Sequence, residues 1–347
     1  MNSNRRLKLF AASLAVAALV LFLPRLLLHP AVAPFVLGVV ARDFAGKVQV
    51  QSCSLGWWQG LRCDNLRYDE PLSGLHLRSP LLLSDKGLLA LLLAPAYLGE
   101  MTLDQPTIAL RASAAGKEQP APPKPPVAVD GTTAMPWWDR LTLRLKVNGG
   151  QVLATGQHGE RKIAHDLRLD ASLAVGTINY VLDFRAGPEG RVKSQGFVNL
   201  PPAGQPLPES LISQSEVDIH QLEIADFLEL AAARGKFPRG QGLLNATCRL
   251  NVAGIRDAEL RGEASLREMA LFGGVLGQDR PFLTDLRFTF TGSHHRDEGW
   301  RLSALELRSD PLQFQASGHL DQKDVQLTAT GSLDLAAMAA QLPHLLS

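Results

Sequence analysis

The residues of this chain that could carry out chemistry are few and scattered. His294 and His295 lie in the polar turn Ser-His-His-Arg-Asp-Glu-Gly, where a solvated loop explains them. No cysteines or histidines have zinc-ligand spacing, and the chain contains neither a phosphate-binding glycine loop nor a nucleophile elbow. A glycosidase needs only two carboxylates that meet in space, so the sequence leaves that class open. We expect a protein that is not an enzyme, with no metal and no cofactor.

Two pairs of tryptophans are candidates for stacking on sugars. Trp57-Trp58 falls at a predicted hairpin tip, and Trp137-Trp138 falls at the entrance to a second module. Amphipathic aromatic rings of this kind are also common in packing and at membrane interfaces. Their placement therefore fits packing or membrane contact at least as well as carbohydrate binding.

The three cysteines divide into a pair and a single residue. Cys53 and Cys63 are equidistant from Trp58, so an antiparallel hairpin centred there would place them opposite each other. In an oxidising compartment a disulfide between them is sterically reasonable, and two ordinary core residues are an equal alternative. Cys248 falls on the apolar side of a predicted strand, where we expect it to be buried and inert.

The elements that must position these residues are strands. Apolar and polar residues alternate repeatedly, for example in residues 141–147, 244–252, 286–290 and 325–333. Successive side chains of a strand point to opposite faces, so each segment builds a sheet with one apolar and one polar face. Short turn signals favour antiparallel pairing, because parallel pairing needs long connections. The pattern predicts a mainly β protein with a few short helices.

The N-terminus carries a predicted membrane anchor. Three basic residues precede an apolar segment, residues 9–28, which reaches the roughly 20 residues needed to span a bilayer as a helix. A cleavable signal peptide is the alternative, with Ala31-Val32-Ala33 as a weak cleavage site. The basic residues favour a cytoplasmic N-terminus. We therefore expect a single-pass inner-membrane protein whose body lies in the periplasm.

Composition shifts divide the rest of the chain into modules. The segment around residues 117–126 holds five prolines and predicts an extended, semi-rigid linker. The predicted units are the cytoplasmic tip and anchor (1–29), a helix and strand module (30–111), the linker (112–136) and a repetitive antiparallel β module with a terminal helix (137–347). Helices are predicted at Ala33–Phe44, Asp85–Tyr97, Ile224–Arg234 and Leu335–Leu346. Pro106 marks an edge or a bulge in a strand predicted at Met101–Arg111.

Charge excludes one class of partner. The net charge is +1, and the chain has no extended block of lysine and arginine. Nucleic-acid binding requires concentrated positive charge, so we expect no nucleic-acid partner. Partners would instead recognise apolar surface or shape.

The function depends on what covers the apolar face of the strands. Two predicted helices in the second module are too few, which leaves a second sheet in a closed sandwich or barrel, or a bound ligand. In the ligand interpretation the sheet is elongated and curved, and its apolar inner face forms a groove for lipid chains. The candidate groove residues are Leu143, Leu145, Leu169, Leu250, Leu286, Phe288, Phe290, Phe314 and Leu327.

The first 111 residues and the C-terminus resemble AsmA-like proteins, relatives of the chorein-type bridge-like lipid transporters. The type II secretion component called protein N shares this general character. The resemblance rests on an anchor and helix followed by Gly46–Val50, Gly60–Leu66, Leu88–Leu93, Met101–Leu110 and the strand-to-helix ending Gly331–Met338. It implies a role in moving phospholipid between membranes or in outer-membrane assembly, together with other envelope proteins.

The length of the chain limits that role. About 14 strands at about 4.8 Å would make a sheet of roughly 65–70 Å, which we expect to be too short to bridge a cell envelope alone. The expected function is therefore that of a membrane-anchored periplasmic protein that handles lipid in a hydrophobic β groove. The alternative is a non-enzymatic structural component of an envelope or type II secretion assembly.

Overall fold

One large curved sheet dominates the protein. A computed structural model describes residues 46–70, 74–111, 139–156, 159–201, 210–225, 228, 239–254, 257–295, 299–320 and 325–342. Within these residues the chain forms a sheet of 17 strands and few helices. The mainly β prediction is confirmed.

The first six strands belong to the predicted helix and strand module. They are β1 (Lys47–Gln49), β2 (Ser52–Ser54), β3 (Arg62–Glu70), β4 (Leu75–Ser84), β5 (Tyr97–Asp104) and β6 (Thr107–Arg111). Both β1 and β2 pair with β3, and both β5 and β6 pair with β4. The predicted strand at residues 101–111 is thus two strands. The break falls at Pro106, which has no N–H to donate, after Gln105 with a positive φ of 45°.

The remaining eleven strands follow one another in chain order across the sheet. They are β7 (Thr142–Gly156), β8 (Gly159–Ala174), β9 (Thr177–Ala186), β10 (Gly190–Asn199), β11 (Ile212–Glu223), β12 (Arg239–Ala253), β13 (Asp257–Phe272), β14 (Phe282–His295), β15 (Gly299–Ser309), β16 (Leu312–Leu320) and β17 (Val325–Leu333). Tight turns join several of them. Between β8 and β9, Val175 and Gly176 have φ values of 47° and 71°, the signature of a two-residue hairpin turn that follows the twist of the strands.

The expectation of a purely antiparallel sheet is wrong at one junction. Strands β5 and β6 both pair with β7 in parallel. The chain between β6 and β7 contains the predicted proline-rich linker, and a long connection is what parallel neighbours require. The strands on either side of the linker therefore belong to the same sheet.

The sheet has the extent expected from the sequence. Since β1 and β2 share one position, and β5 and β6 share another, the 17 strands occupy 15 positions. At about 4.8 Å between neighbours, the sheet measures roughly 67 Å along its hydrogen-bonding direction.

Among the described residues, two short α-helices and a 3₁₀ turn (Gly274–Leu276) accompany the strands. Helix α1 (Leu88–Leu93) is shorter than the predicted 85–97, because residues from Tyr97 onward pair in β5. Helix α2 (Leu335–Gln341) begins where predicted, and Asp334 caps it by accepting hydrogen bonds from the N–H groups of Ala336 and Ala337. The predicted helix at residues 33–44, and most of the one at 224–234, lie outside the described residues.

Candidate functional site: the apolar face of the sheet

The strands share a register that sorts side chains onto two faces. Cross-strand partners lie on the same face, so the pairing can be followed across the whole sheet. One row runs from Leu250 through Leu260 to Gly292, and another from Ala264 through Phe288 to Leu307. We call this side the apolar face and the opposite side the polar face. All nine candidate groove residues, which include Leu143 in β7 and Leu327 in β17, lie on the apolar face.

Near the N-terminal end of the sheet, the apolar face carries a buried cluster. Leu103, Val147 and Leu167 are buried there, in β5, β7 and β8. Side chains from strands β3 to β9 pack against them. The surrounding half-buried residues are Leu66, Leu82, Leu145, Val152, Leu169, Leu182 and Phe184. We call this cluster the closed zone. It includes two of the nine candidates, Leu145 and Leu169.

From β12 to β17 the apolar face carries exposed large side chains beside buried residues such as Ala264 and Ala316, and we call this part the open zone. Leu250, Trp300 and Leu327 expose 37%, 56% and 61% of their surface there. Phe288, Phe290 and Phe314 are half-buried. Among the candidates in this zone only Leu286 is buried, at 8% exposed. The apolar face that protein side chains bury near β5 to β8 thus continues into strands where, among the described residues, large apolar side chains are exposed.

Glycines let the large side chains of the open zone lie flat across neighbouring strands. A Cβ on Gly262 would lie 2.7 Å from Cζ of Phe290, and one on Gly318 would lie 3.0 Å from Cδ1 of Leu327. Phe290 in turn stacks on Phe288, with ring centroids 6.1 Å apart. Aromatic or aliphatic cover of a strand glycine stabilises the pairing and leaves a smooth apolar surface.

The polar face carries ion pairs along and between the strands. Arg144 of β7 donates to Asp170 of β8 at 2.6–2.8 Å, and Arg249 of β12 donates to Glu216 of β11 at 2.9 Å. Further pairs are Lys146–Glu100, Arg191–Asp183, Arg261–Glu259, Arg287–Asp285 and Arg308–Glu306. The polar face is therefore built for contact with water.

These ion pairs lower the pKa values of several carboxylates. The hydrogen bond from Arg144 lowers the pKa of Asp170, and the hydrogen bond from Arg191 lowers the pKa of Asp183. Arg249 and then Gln195 lower the pKa of Glu216 in the same way. These three carboxylates hence stay charged at lower pH than carboxylates with ordinary pKa values.

The free cysteine, Cys248, belongs to the apolar face, where it pairs with Val217 and Gly262. Burial raises the pKa of its thiol, with a smaller contribution from the charge of Asp218. Its thiolate fraction at neutral pH is correspondingly small. The thiol is half-buried, so the expectation of full burial is not met.

The other two cysteines form a disulfide. Cys53 in β2 and Cys63 in β3 are direct cross-strand partners, with a Cα–Cα distance of 4.1 Å and an Sγ–Sγ distance of 1.97 Å. The bond fastens the short strand β2 to the edge of the sheet. Trp58, at the tip of this hairpin, is 79% exposed.

A second exposed apolar surface surrounds that tip. Trp57 accepts a backbone hydrogen bond from Leu89, the second residue of α1, at 3.0 Å. Leu92 and Leu93 of the same helix expose 59% and 78% of their surface. Trp58, Leu92 and Leu93 together form what we call the tip patch. The Trp137-Trp138 pair lies outside the described residues.

The polar face also holds a pocket that no sequence pattern indicates. A row of cross-strand neighbours, Phe197, Gln214, Asn251, Glu259 and Ser293, lines a cavity of about 550 Å³ at one end of β10 to β14. His295 and Asp257, whose Nδ1 and Oδ1 atoms are 2.7 Å apart, lie at its rim. This pocket exists only because five strands align their residues, which no local pattern encodes.

In the described residues no group of histidine, cysteine or acidic side chains is arranged to hold a metal ion. Nor does any helix within them have the length and apolar character needed to cross a bilayer, and the predicted anchor at residues 9–28 lies outside them. No family model, curated protein or solved structure matches the chain.

Proposed function

We propose that this protein binds the acyl chains of phospholipid on the open zone of its apolar face. The observation that carries the proposal is the continuation of one register-aligned apolar face into strands where it is exposed. Leu250 and Leu260, direct neighbours in β12 and β13, expose 37% and 38% of their surface, and Leu327 exposes 61%. Fully burying one leucine side chain contributes roughly 1.5–3 kcal/mol, and only the exposed fraction of each gains from cover, so covering these three leucines would contribute about 2–4 kcal/mol in total.

The closed zone explains why binding would be confined to one part of the sheet. Its own side chains pack against one another, so Leu103, Val147 and Leu167 are already buried. A ligand there would have to displace protein. In the open zone the described residues leave parts of the large apolar side chains exposed, and a lipid chain would bury those parts.

The chemistry of the two faces fits a lipid better than a polar ligand. The apolar face of the open zone presents aromatic and aliphatic side chains, whereas the ion pairs lie on the polar face. A sheet with this division holds hydrocarbon on one side and water on the other. Phospholipid headgroups would extend past the strand ends into solvent.

The predicted location of the protein, at the periplasmic side of the inner membrane, supports a phospholipid rather than another apolar ligand. The anchor at residues 9–28 would hold the body against the inner membrane from the periplasmic side, and a disulfide such as Cys53–Cys63 persists in an oxidising compartment. The tip patch offers tryptophan and leucine side chains that suit contact with a bilayer surface. Phospholipid transport or outer-membrane assembly, alongside other envelope proteins, is the role we propose.

Lipid content of the purified protein tests the proposal. The full-length chain would be extracted into a detergent, exchanged into a lipid-free detergent, and examined by native mass spectrometry. We expect adducts with the mass of phospholipid that survive activation. The proposal is overturned if the protein carries none and none binds from vesicles of phosphatidylethanolamine and phosphatidylglycerol. Capture of envelope proteins without lipid would favour the structural alternative.

A further inference from the structure

The two edges of the sheet are built differently. At the N-terminal edge, β1 and β2 are three-residue strands separated by a break, and the disulfide fastens one of them. Short, interrupted edge strands are a common protection against pairing with another chain. At the other edge, β17 runs for 9 residues and pairs with β16 without a register shift.

Among the described residues, strand β17 lacks the charge, proline and strand partner that usually protect an edge. Its sequence, Val-Gln-Leu-Thr-Ala-Thr-Gly-Ser-Leu, contains no charged residue and no proline. Every residue from Gln326 to Leu333 is exposed, and β16 is its partner on one side only among the described residues. A long, flat, uncharged edge strand is a template for a further strand.

The sequence of β17 is complementary to itself. In an antiparallel pair with a second copy, centred on Ala329, Val325 would oppose Leu333 and Leu327 would oppose Gly331. On the polar side, Gln326 would oppose Ser332 and Thr328 would oppose Thr330. Each pair joins residues of the same character, and no like charges meet.

The geometry points to a symmetric dimer in which β17 of one copy pairs with β17 of a second copy. A two-fold axis perpendicular to the sheet would keep the two apolar faces on the same side. Each pair joins two odd-numbered or two even-numbered residues of β17, and residues of one kind share a face of the strand. The open zones would then join into one apolar surface, and Leu327 would lie across Gly331 of the second copy, as it already lies beside Gly318 of its own β16. The strand pair buries less than a standard interface of about 1,600 Å², so we expect association at micromolar concentration or above.

Cysteine cross-linking tests both the dimer and its register. In the full-length protein carrying Cys248→Ala, which removes the free thiol, the variant Ala329→Cys would be oxidised at tens of micromolar. We expect a disulfide-linked dimer, since the two Cα atoms would be about 4.5–5.5 Å apart. Thr328→Cys alone should link poorly, whereas a mixture of Thr328→Cys with Thr330→Cys should link efficiently. Ala316→Cys, on the inner strand β16, is the matched control and should remain monomeric.

Charge substitution tests the same pairing without cysteines. Thr328→Lys should lower the dimer fraction about 10-fold in sedimentation velocity, because edge lysines block strand pairing. Mixing it with Thr330→Glu should restore the dimer, since the two positions face each other. Residue 328 is on the exposed polar side, so the variant should melt like the wild type.

A protein that stays monomeric, or Ala329→Cys that links in cells to a different protein and not to itself, would overturn the inference. Lipid binding by the monomer is measured separately, so the two proposals fail independently.

Discussion

Replacing Leu327 by glutamine tests whether the apolar face around this residue is a lipid-binding surface or a closed core. The side chain is 61% exposed, and fully burying a leucine contributes roughly 1.5–3 kcal/mol. Cover by an acyl chain would therefore contribute about 0.9–1.8 kcal/mol at this position. Losing it should weaken the binding of a fluorescent phospholipid about 5- to 20-fold. The remaining two-fifths of the surface is already buried by protein, so the free energy of unfolding should fall by at most about 1.2 kcal/mol.

Two matched variants show whether the effect belongs to the apolar face. Thr328→Gln introduces the same side chain at the next position, on the polar face, and should leave lipid binding unchanged. Leu286→Gln places an amide where the side chain is 8% exposed, and should destabilise the fold by about 3 kcal/mol or more. Titration of the lipid measures binding, and thermal melting measures stability. The reasoning is refuted if L327Q binds lipid like the wild type, or if it unfolds as readily as L286Q.

Three further predictions concern the sheet that carries this surface. Gly262→Ala should destabilise the protein by about 1–3 kcal/mol, seen as a lower melting temperature, because its Cβ would meet the ring of Phe290. Reducing the disulfide between Cys53 and Cys63, 10 residues apart, should cost up to about 2.7 kcal/mol and speed hydrogen exchange in β2 up to about 100-fold. Asp170→Asn should destabilise the protein at pH 7, and this effect should disappear as the pH falls through the lowered pKa of Asp170, because the wild type loses the same charge there.

Each of these has a control or a contrary outcome. Gly292→Ala is the control for Gly262, since its Cβ would have only one neighbour, at 3.4 Å, and it should melt like the wild type. Exchange in β2 that does not change on reduction would mean that the disulfide does not hold this edge. A destabilisation by D170N that is equal at pH 7 and at a pH below the lowered pKa of Asp170 would show that its ion pair with Arg144 does not stabilise the fold.

Much of the fold could be predicted because strand faces are a local property. The alternation that placed Leu250, Phe288 and Leu327 on one side requires only a period of two, and the register carries it across the sheet. The cross-strand position of Cys53 and Cys63 followed from their equal distance to the hairpin tip. Helix boundaries were less predictable, since the residues after α1 pair in β5 in place of continuing the helix.

The candidate site could be predicted only in part. All nine apolar candidates share a face, but their surroundings differ widely. Leu145 packs in the closed zone, Leu286 is buried, and Leu327 is exposed. No residue reveals these differences by its own identity or its neighbours in sequence. The exposed leucines of α1 also belong to a surface that the alternation of strands does not predict.

The sequence by itself determined that this protein is built from two-faced strands, which side of each strand is apolar, and that catalytic motifs are lacking. Tertiary structure decided which strands become neighbours across the long connection between β6 and β7. There β5 and β6 both run parallel to β7. It also decided where the apolar face is buried, where its large side chains are exposed, and that β17 pairs on one side only among the described residues. The physical reason is that side-chain alternation arises within a few residues, whereas curvature and cover depend on contacts between strands far apart in the chain.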